Sequence, residues 1–251
     1  MERPDVYDAW NRLVGVYEDD SASPGEPDLG SPLATFEYDG RNFRIEKSAG
    51  GIDLAFYYNE NQQLLEEHQG TDEDPLNQYV WDLRYVDAPI VRFHDADLNG
   101  VYTDTGDNIL YYTSDANMNV TGLVDASTGA VVERYHYDPY GAVLYLDGSW
   151  TELTTQESAY DNDYLYTGRR LDAETDLFFY RARYYDTSLG RFISRDPIGY
   201  NAGPNLYEYV RGVPTTQLDP SGMQVKTPDV TVWEKTFRRE RTVNHAFYPG
   251  G

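Results

Sequence analysis

The feature that most constrains this fold is a degenerate repeat in which a tyrosine precedes Asp or Asn and a polar turn. Its four copies, starting at Tyr7, Tyr38, Tyr58 and Tyr137, read YDAWNRLV, YDGRNFRI, YNENQQLL and YDPYGAVL. Each unit has the chemistry of a β-hairpin: an aromatic strand, a side-chain oxygen that bonds its own backbone to start the turn, and an aliphatic return strand. Hairpins stacked side by side predict an extended, twisted sheet.

The repeats are unevenly spaced, and a related pattern partly fills the longest gap. That segment, YTSDANMNVTGLVDASTGAVVERYHYD, predicts strands at 120–124 and 131–137. Many of the 24 tyrosines lie in short aromatic and polar runs, so we expect a mainly β chain whose aromatic rings form the packing layer. Residues 18–32 predict a loop, and residues 205–212 predict a short helix capped by Asn205.

Composition narrows the possible partners. The 43 acidic and 20 basic residues give a formal net charge of −23, which repels a phosphate backbone, so no nucleic-acid partner is predicted. The chain has no cysteine, which excludes disulfides and thiolate metal sites. Because the first residues lack an apolar leader segment and no apolar run is long enough for a membrane span, neither feature is predicted in this chain.

The second half of the chain carries a more specific signature. The segments YHYDPYG, YTGRRLDAETDLFFYRARYYDTSLGRFISRDPIGY, NLYEYVRG and DPSGM, together with the Tyr-Asp repeats, closely resemble the Rhs/YD-repeat proteins. That family includes bacterial polymorphic toxins and the C components of Tc toxins. The resemblance implies three parts: a degenerate YD-repeat β strip at 1–136, an Rhs repeat-associated core domain at 137–223 and a variable tail at 224–251.

The resemblance also implies an architecture and a setting. The repeats would form a β-hairpin sheet that is part of a β-spiral shell, closed by the core domain with its short helices. The partners implied are the rest of that shell or a larger toxin or secretion assembly. The implied location is secreted or at the cell surface.

The pattern D-P-x-G occurs three times, at Asp138, Asp196 and Asp219. By itself it predicts a type I turn, in which Asp accepts backbone hydrogen bonds, Pro presets φ and Gly ends the turn. The resemblance assigns Asp196 and Asp219 a further role as an aspartyl-protease-like pair supported by Arg183. Two carboxylates held close together cannot both ionise cheaply, so one polarises the scissile carbonyl while the other deprotonates water.

The cleavage that the resemblance implies lies between Met223 and Gln224. The family usually has Leu where this chain has Met223, and the two side chains are similar in volume. A compositional change accompanies the site, since residues 224–251 hold five basic and three acidic residues in an otherwise acidic chain. These 28 residues are too few for an independently folded effector, so the tail is a remnant, a truncated effector or a peptide packed on the core.

A second candidate site is the segment HDADLNGVYTDTGDN. Here Asp95, Asp97 and Asn99 precede a glycine and match the start of a calcium loop. Oxygen ligands at alternate positions around a glycine turn suit a hard cation. The twelfth position, which usually supplies a bidentate Glu, is a glycine, and Asp104 and Asp107 are the nearest substitutes. The segment is therefore either a calcium site or a solvated turn.

These features support three hypotheses about function. The first is a shell or scaffold segment of an Rhs-type toxin-like or cell-surface protein, and the second is a single-turnover aspartyl autoprotease within it, with no required cofactor. The third is an adhesion module that binds carbohydrate or protein with the help of calcium; an inactive truncated remnant is a further alternative. The four histidines show neither ligand spacing nor a serine or cysteine partner, so no turnover enzyme is predicted.

Overall fold

The computed structural model describes residues 4–19, 29–201 and 203–226. Within these residues, twelve antiparallel strands form one open sheet in which each strand pairs with its neighbours in the chain. They are β1 (Asp5–Tyr7), β2 (Leu13–Asp19), β3 (Leu29–Tyr38), β4 (Arg44–Ala49), β5 (Ile52–Tyr58), β6 (Leu64–Gln69), β7 (Asn77–Trp81), β8 (Pro89–His94), β9 (Asn108–Ser114), β10 (Val120–Asp125), β11 (Val131–Tyr137) and β12 (Val143–Asp147). This large sheet confirms the predicted mainly β hairpin architecture.

A second, small sheet follows in the chain. Its four antiparallel strands are β13 (Arg170–Asp172), β14 (Leu177–Tyr180), β15 (Arg183–Asp186) and β16 (Arg191–Phe192). Short 3-10 turns lie at Tyr166–Gly168, Gly199–Asn201 and Val210–Gly212. The predicted division at 136/137 falls inside β11, and the division of the chain into domains stays a prediction.

The repeat turns share one geometry; five of the six connect strands of the large sheet and the sixth follows β12. In each, the side-chain oxygen of Asp or Asn accepts hydrogen bonds of 2.8–3.1 Å from the backbone N–H groups two and four residues later; these residues are Asp8, Asp39, Asn59, Asp115, Asp138 and Asp147. The residue three positions after each of them has a positive φ, as expected for a three-residue hairpin loop. The hairpin interpretation is confirmed at every predicted repeat and extends to Asp147.

The short helix predicted at 205–212 is wrong. Asn205 does cap a turn, because its Oδ1 accepts a hydrogen bond of 3.2 Å from the N–H of Tyr207. Glu208, however, forms a β-bridge with Arg191, and only Val210–Gly212 form a 3-10 turn. Tyr209 is 1% exposed in the aromatic core, so pairing and burial override the local helical preference.

The loop predicted at 18–32 is shorter than the sequence suggested. Strand β2 continues to Asp19 and β3 begins at Leu29, so both ends of the predicted loop belong to paired strands. Residues 20–28 lie outside the described residues. The acidic, Pro-rich composition correctly marks a connection but not its limits.

The small sheet packs against one face of the large sheet through an aromatic core. Tyr166, Tyr180, Tyr185 and Tyr209 are at most 2% exposed and belong to one cluster with Leu123 of β10. The buried hydroxyls keep partners, since the Tyr180 hydroxyl lies 2.8 Å from that of Thr167 and 3.0 Å from that of Tyr209. In this part of the molecule the tyrosines are therefore the packing layer itself.

We expect the fold to lose stability steeply in alkali. Burial raises the pKa of Tyr38 and of Tyr112 to about 12, whereas tyrosine in an unfolded chain ionises near pH 10. Each side chain therefore contributes stability that is complete below about pH 10 and falls by about 1.4 kcal/mol per pH unit up to about pH 12. Denaturant unfolding, followed with tyrosinate absorbance at several alkaline pH values, measures this slope.

A matched pair of variants identifies the source of the alkaline slope. Tyr112→Phe removes one buried hydroxyl and is expected to make the slope shallower. Tyr57→Phe, at a side chain that is 55% exposed, is expected to leave it unchanged. Equal slopes in the parent and in Tyr112→Phe would show that burial of this hydroxyl does not set the alkaline limit.

Candidate functional site

The three predicted catalytic residues lie together in the interior of the protein. Nη2 of Arg183 lies 3.0 Å from Oδ2 of Asp196 and 3.4 Å from Oδ2 of Asp219. The three residues are 3%, 8% and 3% exposed, in that order. Burial lowers the pKa of Arg183, and the two carboxylates oppose that shift. One guanidinium group thus holds two buried carboxylates at a single point.

Arg183 and Asp196 are positioned by the small sheet. Arg183 lies at the start of β15, with its guanidinium carbon 3.6 Å from the ring centre of Phe192 in β16. Asp196 follows β16, where its backbone N–H donates to the carbonyl of Leu206 at 2.9 Å. Nη1 of Arg183 donates to the same carbonyl at 3.2 Å. The arginine and the D-P-x-G turn therefore share a backbone anchor as well as an ion pair.

The turn at Asp219 differs from the repeat turns in what its carboxylate binds. Oδ1 of Asp219 accepts hydrogen bonds from the N–H of Met223 at 3.1 Å and from the N–H of Gln224 at 2.9 Å. These groups lie four and five residues later, whereas Asp138 accepts from groups two and four residues later. The carboxylate of Asp219 therefore contacts the N–H groups of both residues that the predicted cleaved bond joins.

Residues 219–224, which we call the Asp219 loop, are held against the turn between β14 and β15. Three successive loop carbonyls accept hydrogen bonds from the two turn residues and the first residue of β15: Pro220 from Arg181, Ser221 from Ala182 at 3.3 Å, and Gly222 from Arg183. Gly222 has a φ of +68°, and a Cβ built there would lie 2.3 Å from the carbonyl oxygen of Tyr180. Only glycine allows this close approach, so the backbone register of the loop is fixed.

The chain stays paired beyond the predicted cleavage point. Leu218 and Lys226 exchange backbone hydrogen bonds of 2.7 and 2.6 Å, and Val225 packs against the aromatic core. Val225 and Lys226 are therefore held on the core by packing and by an isolated β-bridge. The rest of the tail predicted at 224–251 lies outside the described residues.

The predicted calcium segment brings three carboxylates together. Ligand oxygens of Asp95, Asp97 and Asp107 lie within 4.8 Å of one another. Asn99 is placed differently from the prediction, because its side-chain N–H donates to Asp97 at 3.1 Å while its oxygen accepts from the N–H of Val101 at 2.8 Å. The group that could hold a cation is therefore Asp95, Asp97 and Asp107.

The pKa values of this acidic cluster move in opposite directions. Burial would raise the pKa of Asp95, but the backbone N–H groups of Gly100 and Asn99 lower it below its ordinary value. The pKa of Asp97 is raised by desolvation and by its neighbours Asp95 and Asp107. The like charges therefore repel one another without a cation between them.

Sequence reasoning identified part of this site and missed part. It named Arg183, Asp196 and Asp219, which the structure brings together, and Met223 and Gln224, which contact Asp219. It missed the contribution of Arg181, whose triplet R-A-R at 181–183 donates hydrogen bonds to the triplet P-S-G at 220–222. The sequence alone does not show that these two triplets pair, so this contact could not be predicted from it.

The chain is similar to parts of much longer proteins, among them toxin components. No family model matches it. The tRNA3(Ser)-specific nuclease WapA of Bacillus spizizenii is 30% identical over 196 residues, covering 76% of this chain and 8% of the relative. Toxin subunit YenC1 of Yersinia entomophaga is 35% identical over 124 residues, covering 49% of this chain and 12% of the relative. The chain therefore spans only about a tenth of the length of these relatives.

A solved structure shares the fold. The crystal structure of TcdB2-TccC3 superimposes with a TM-score of 0.62 at 23% sequence identity. The match covers 88% of this chain and 10% of that one. In the described part of the chain, every helix falls short of the length and apolarity that a membrane crossing requires.

Proposed function

We propose that this chain, which is similar to the Rhs/YD-repeat toxins, is a shell or scaffold segment of a larger toxin-like protein. The open twelve-stranded sheet supports this role, because a sheet that does not close on itself can continue into further strands. The proposal places the protein outside the cell or on its surface. The tRNA in the name of one relative is not proposed as a substrate, since a net charge of −23 repels a phosphate backbone.

The second part of the proposal is that the segment cuts itself once, between Met223 and Gln224. The observation that carries it is the position of the Asp219 carboxylate. One oxygen accepts from the N–H groups of Met223 and Gln224, and the other shares Arg183 with Asp196. An ordinary turn aspartate such as Asp138 makes the local contacts but has neither the second carboxylate nor the arginine.

The proposed chemistry uses these contacts. Water adds to the carbonyl carbon of Met223, the bond to the nitrogen of Gln224 breaks, and that nitrogen leaves as an amine after taking a proton. In this proposal the pair enters the step holding one proton, on Asp219, which faces this nitrogen and delivers the proton to it; Asp196, ionised beside Arg183, takes the proton of the water, so the pair again holds one proton afterwards. Arg183 holds the two carboxylates together and offsets the negative charge of the site.

Intact-mass measurement of the purified chain tests the proposal. We expect the parent to lose residues 224–251 without any added cofactor, giving one fragment that ends at Met223 and one that begins at Gln224. The reaction is intramolecular, so the cut fraction should not depend on protein concentration. A parent chain that keeps its full mass would contradict the proposed self-cleavage and leave only the scaffold role.

The calcium-binding alternative makes a separate prediction at the acidic cluster. If the cluster holds calcium, adding the ion raises the melting temperature of the parent, because a ligand that binds only the folded state stabilises it. Asp97→Asn and Asp107→Asn are then expected to remove the rise, whereas Asp82→Asn, at an aspartate paired with Arg84, is expected to keep it. A rise of the same size in all four proteins would place the calcium elsewhere.

A further inference from the structure

A buried carboxylate of the large sheet reaches into the small-sheet region. Asp87 lies in the connection between β7 and β8 and is 2% exposed. Its Oδ1 lies 2.7 Å from Nη2 of Arg181, and its Oδ2 lies 3.0 Å from Nη2 of Arg169. Nη2 of Arg181 also donates to the carbonyl of Gln62, in the turn between β5 and β6, at 3.4 Å. Arg181 is therefore anchored to two connections of the large sheet.

The other end of the Arg181 guanidinium holds the Asp219 loop. Nη1 of Arg181, which also donates to Oδ2 of Asp87 at 3.4 Å, donates to the carbonyl of Pro220, the residue that directly follows Asp219. Arg181 itself has a φ of +59°, a conformation that residues with a Cβ rarely adopt and that the surroundings must enforce. The side chain of Arg181 thus links the large sheet to the Asp219 loop through both of its terminal nitrogens.

The connection that carries Asp87 is fixed by backbone packing as well as by charge. Gly168 has a φ of +67°, and a Cβ built there would lie 1.7 Å from the carbonyl oxygen of Asp87. Burial and the like charge of Arg169 lower the pKa of Arg181, and Asp87 opposes that shift. Without Asp87, two guanidinium groups would face each other in a buried place with no carboxylate between them.

We propose that Arg181 is a positioning residue that makes cleavage after Met223 depend on docking of the β7–β8 connection of the large sheet, which carries Asp87. This inference rests on the proposed autoproteolysis. When Asp87 is in place, Arg181 is held over the Asp219 loop and fixes the carbonyl of Pro220. When Asp87 is absent, Arg181 turns away and the loop loses one of its three carbonyl anchors, so the Met223–Gln224 bond is no longer held against Asp219. Cutting therefore follows assembly of the two sheets.

Time courses of cleavage during cell-free translation test this inference, because each chain is then observed from synthesis. Displacing a reacting group by about 1 Å lowers rates by about 10²-fold, so we expect Asp87→Asn and Arg181→Gln each to slow cleavage by about that factor. The double variant should be no slower than either single one, since both break the same link. Arg181→Lys keeps the buried charge but cannot reach both Asp87 and the carbonyl of Pro220. We expect this variant to fold and to be cut about 10-fold more slowly than the parent.

A matched control separates positioning from general loss of stability. Glu174→Gln breaks another ion pair between the two sheets, with Lys47 at 3.0 Å, and this pair does not touch the Asp219 loop. We expect this variant to cut at the parent rate. A parent that stays uncut overturns the proposed function and this inference with it. If the parent is cut, and folded Arg181→Lys and Asp87→Asn are cut at the parent rate, the inference is overturned while the proposed function stands.

Discussion

Asp219→Asn is expected to leave the chain uncut, while Asp138→Asn is expected to be cut like the parent. Asparagine keeps an oxygen that accepts the hydrogen bonds of Met223 and Gln224, so the loop retains its shape. It cannot take up or deliver a proton, and loss of a general acid or base lowers rates by about 10²–10⁴-fold. Asp138 starts an exposed D-P-x-G turn, which makes it the matched control for the turn chemistry.

Asp196→Asn completes this test, because the mechanism needs both carboxylates. We expect it to be uncut as well, measured by intact mass after the same incubation. Cleavage of Asp196→Asn beside an uncut Asp219→Asn would mean that one carboxylate suffices and that Asp196 only orients Arg183. Cleavage of Asp219→Asn at the parent rate would remove the aspartyl mechanism altogether.

The hairpin sheet could be predicted from the sequence because its turns are local. An Asp or Asn side chain, its own backbone and a residue of positive φ lie within five consecutive positions, as in the turn from Asp39 to Phe43. Such a unit depends on no distant contact, and the repeat makes it visible several times. The helix predicted at 205–212 fails for the opposite reason, since Tyr209 and Glu208 are placed by contacts with a distant strand.

The packing of the two sheets could not be predicted, because it depends on charges far apart in the chain. Arg44 and Asp172 are 128 residues apart, and the sequence near either one gives no indication of its partner. Asp87 is similar: it is buried between two arginines, of which Arg181 is 94 residues away in the chain. The proposed catalytic trio was accessible only through the family resemblance, since three D-P-x-G turns look alike until Arg183 distinguishes two of them.

Asp172→Asn is expected to be the most destabilising single change among those described here. Arg44 in β4 contacts both oxygens of Asp172 in β13, at 2.5 and 3.1 Å, and both residues are fully buried. Lys47 and Arg170 lie 3.7 and 3.9 Å from the same carboxylate. Removing its charge leaves buried cations uncompensated, which lowers the free energy of unfolding by about 3–5 kcal/mol.

The pH dependence of this loss identifies its electrostatic origin. Burial would raise the pKa of Asp172, but Arg44, Lys47 and Arg170 lower it below its ordinary value. A lowered pKa in the folded state means stability that is present above about pH 4 and is lost as the pH falls further. The difference between parent and Asp172→Asn, measured by denaturant unfolding, should therefore shrink in acid.

An exposed ion pair provides the control for that measurement. Arg41 and Asp39 lie 3.4 Å apart with the arginine side chain 72% exposed, and such pairs contribute about 0–1 kcal/mol. Arg41→Gln should therefore change the free energy of unfolding by less than about 1 kcal/mol. If Asp172→Asn changed it as little, the Arg44–Asp172 ion pair would add nothing beyond its own desolvation cost.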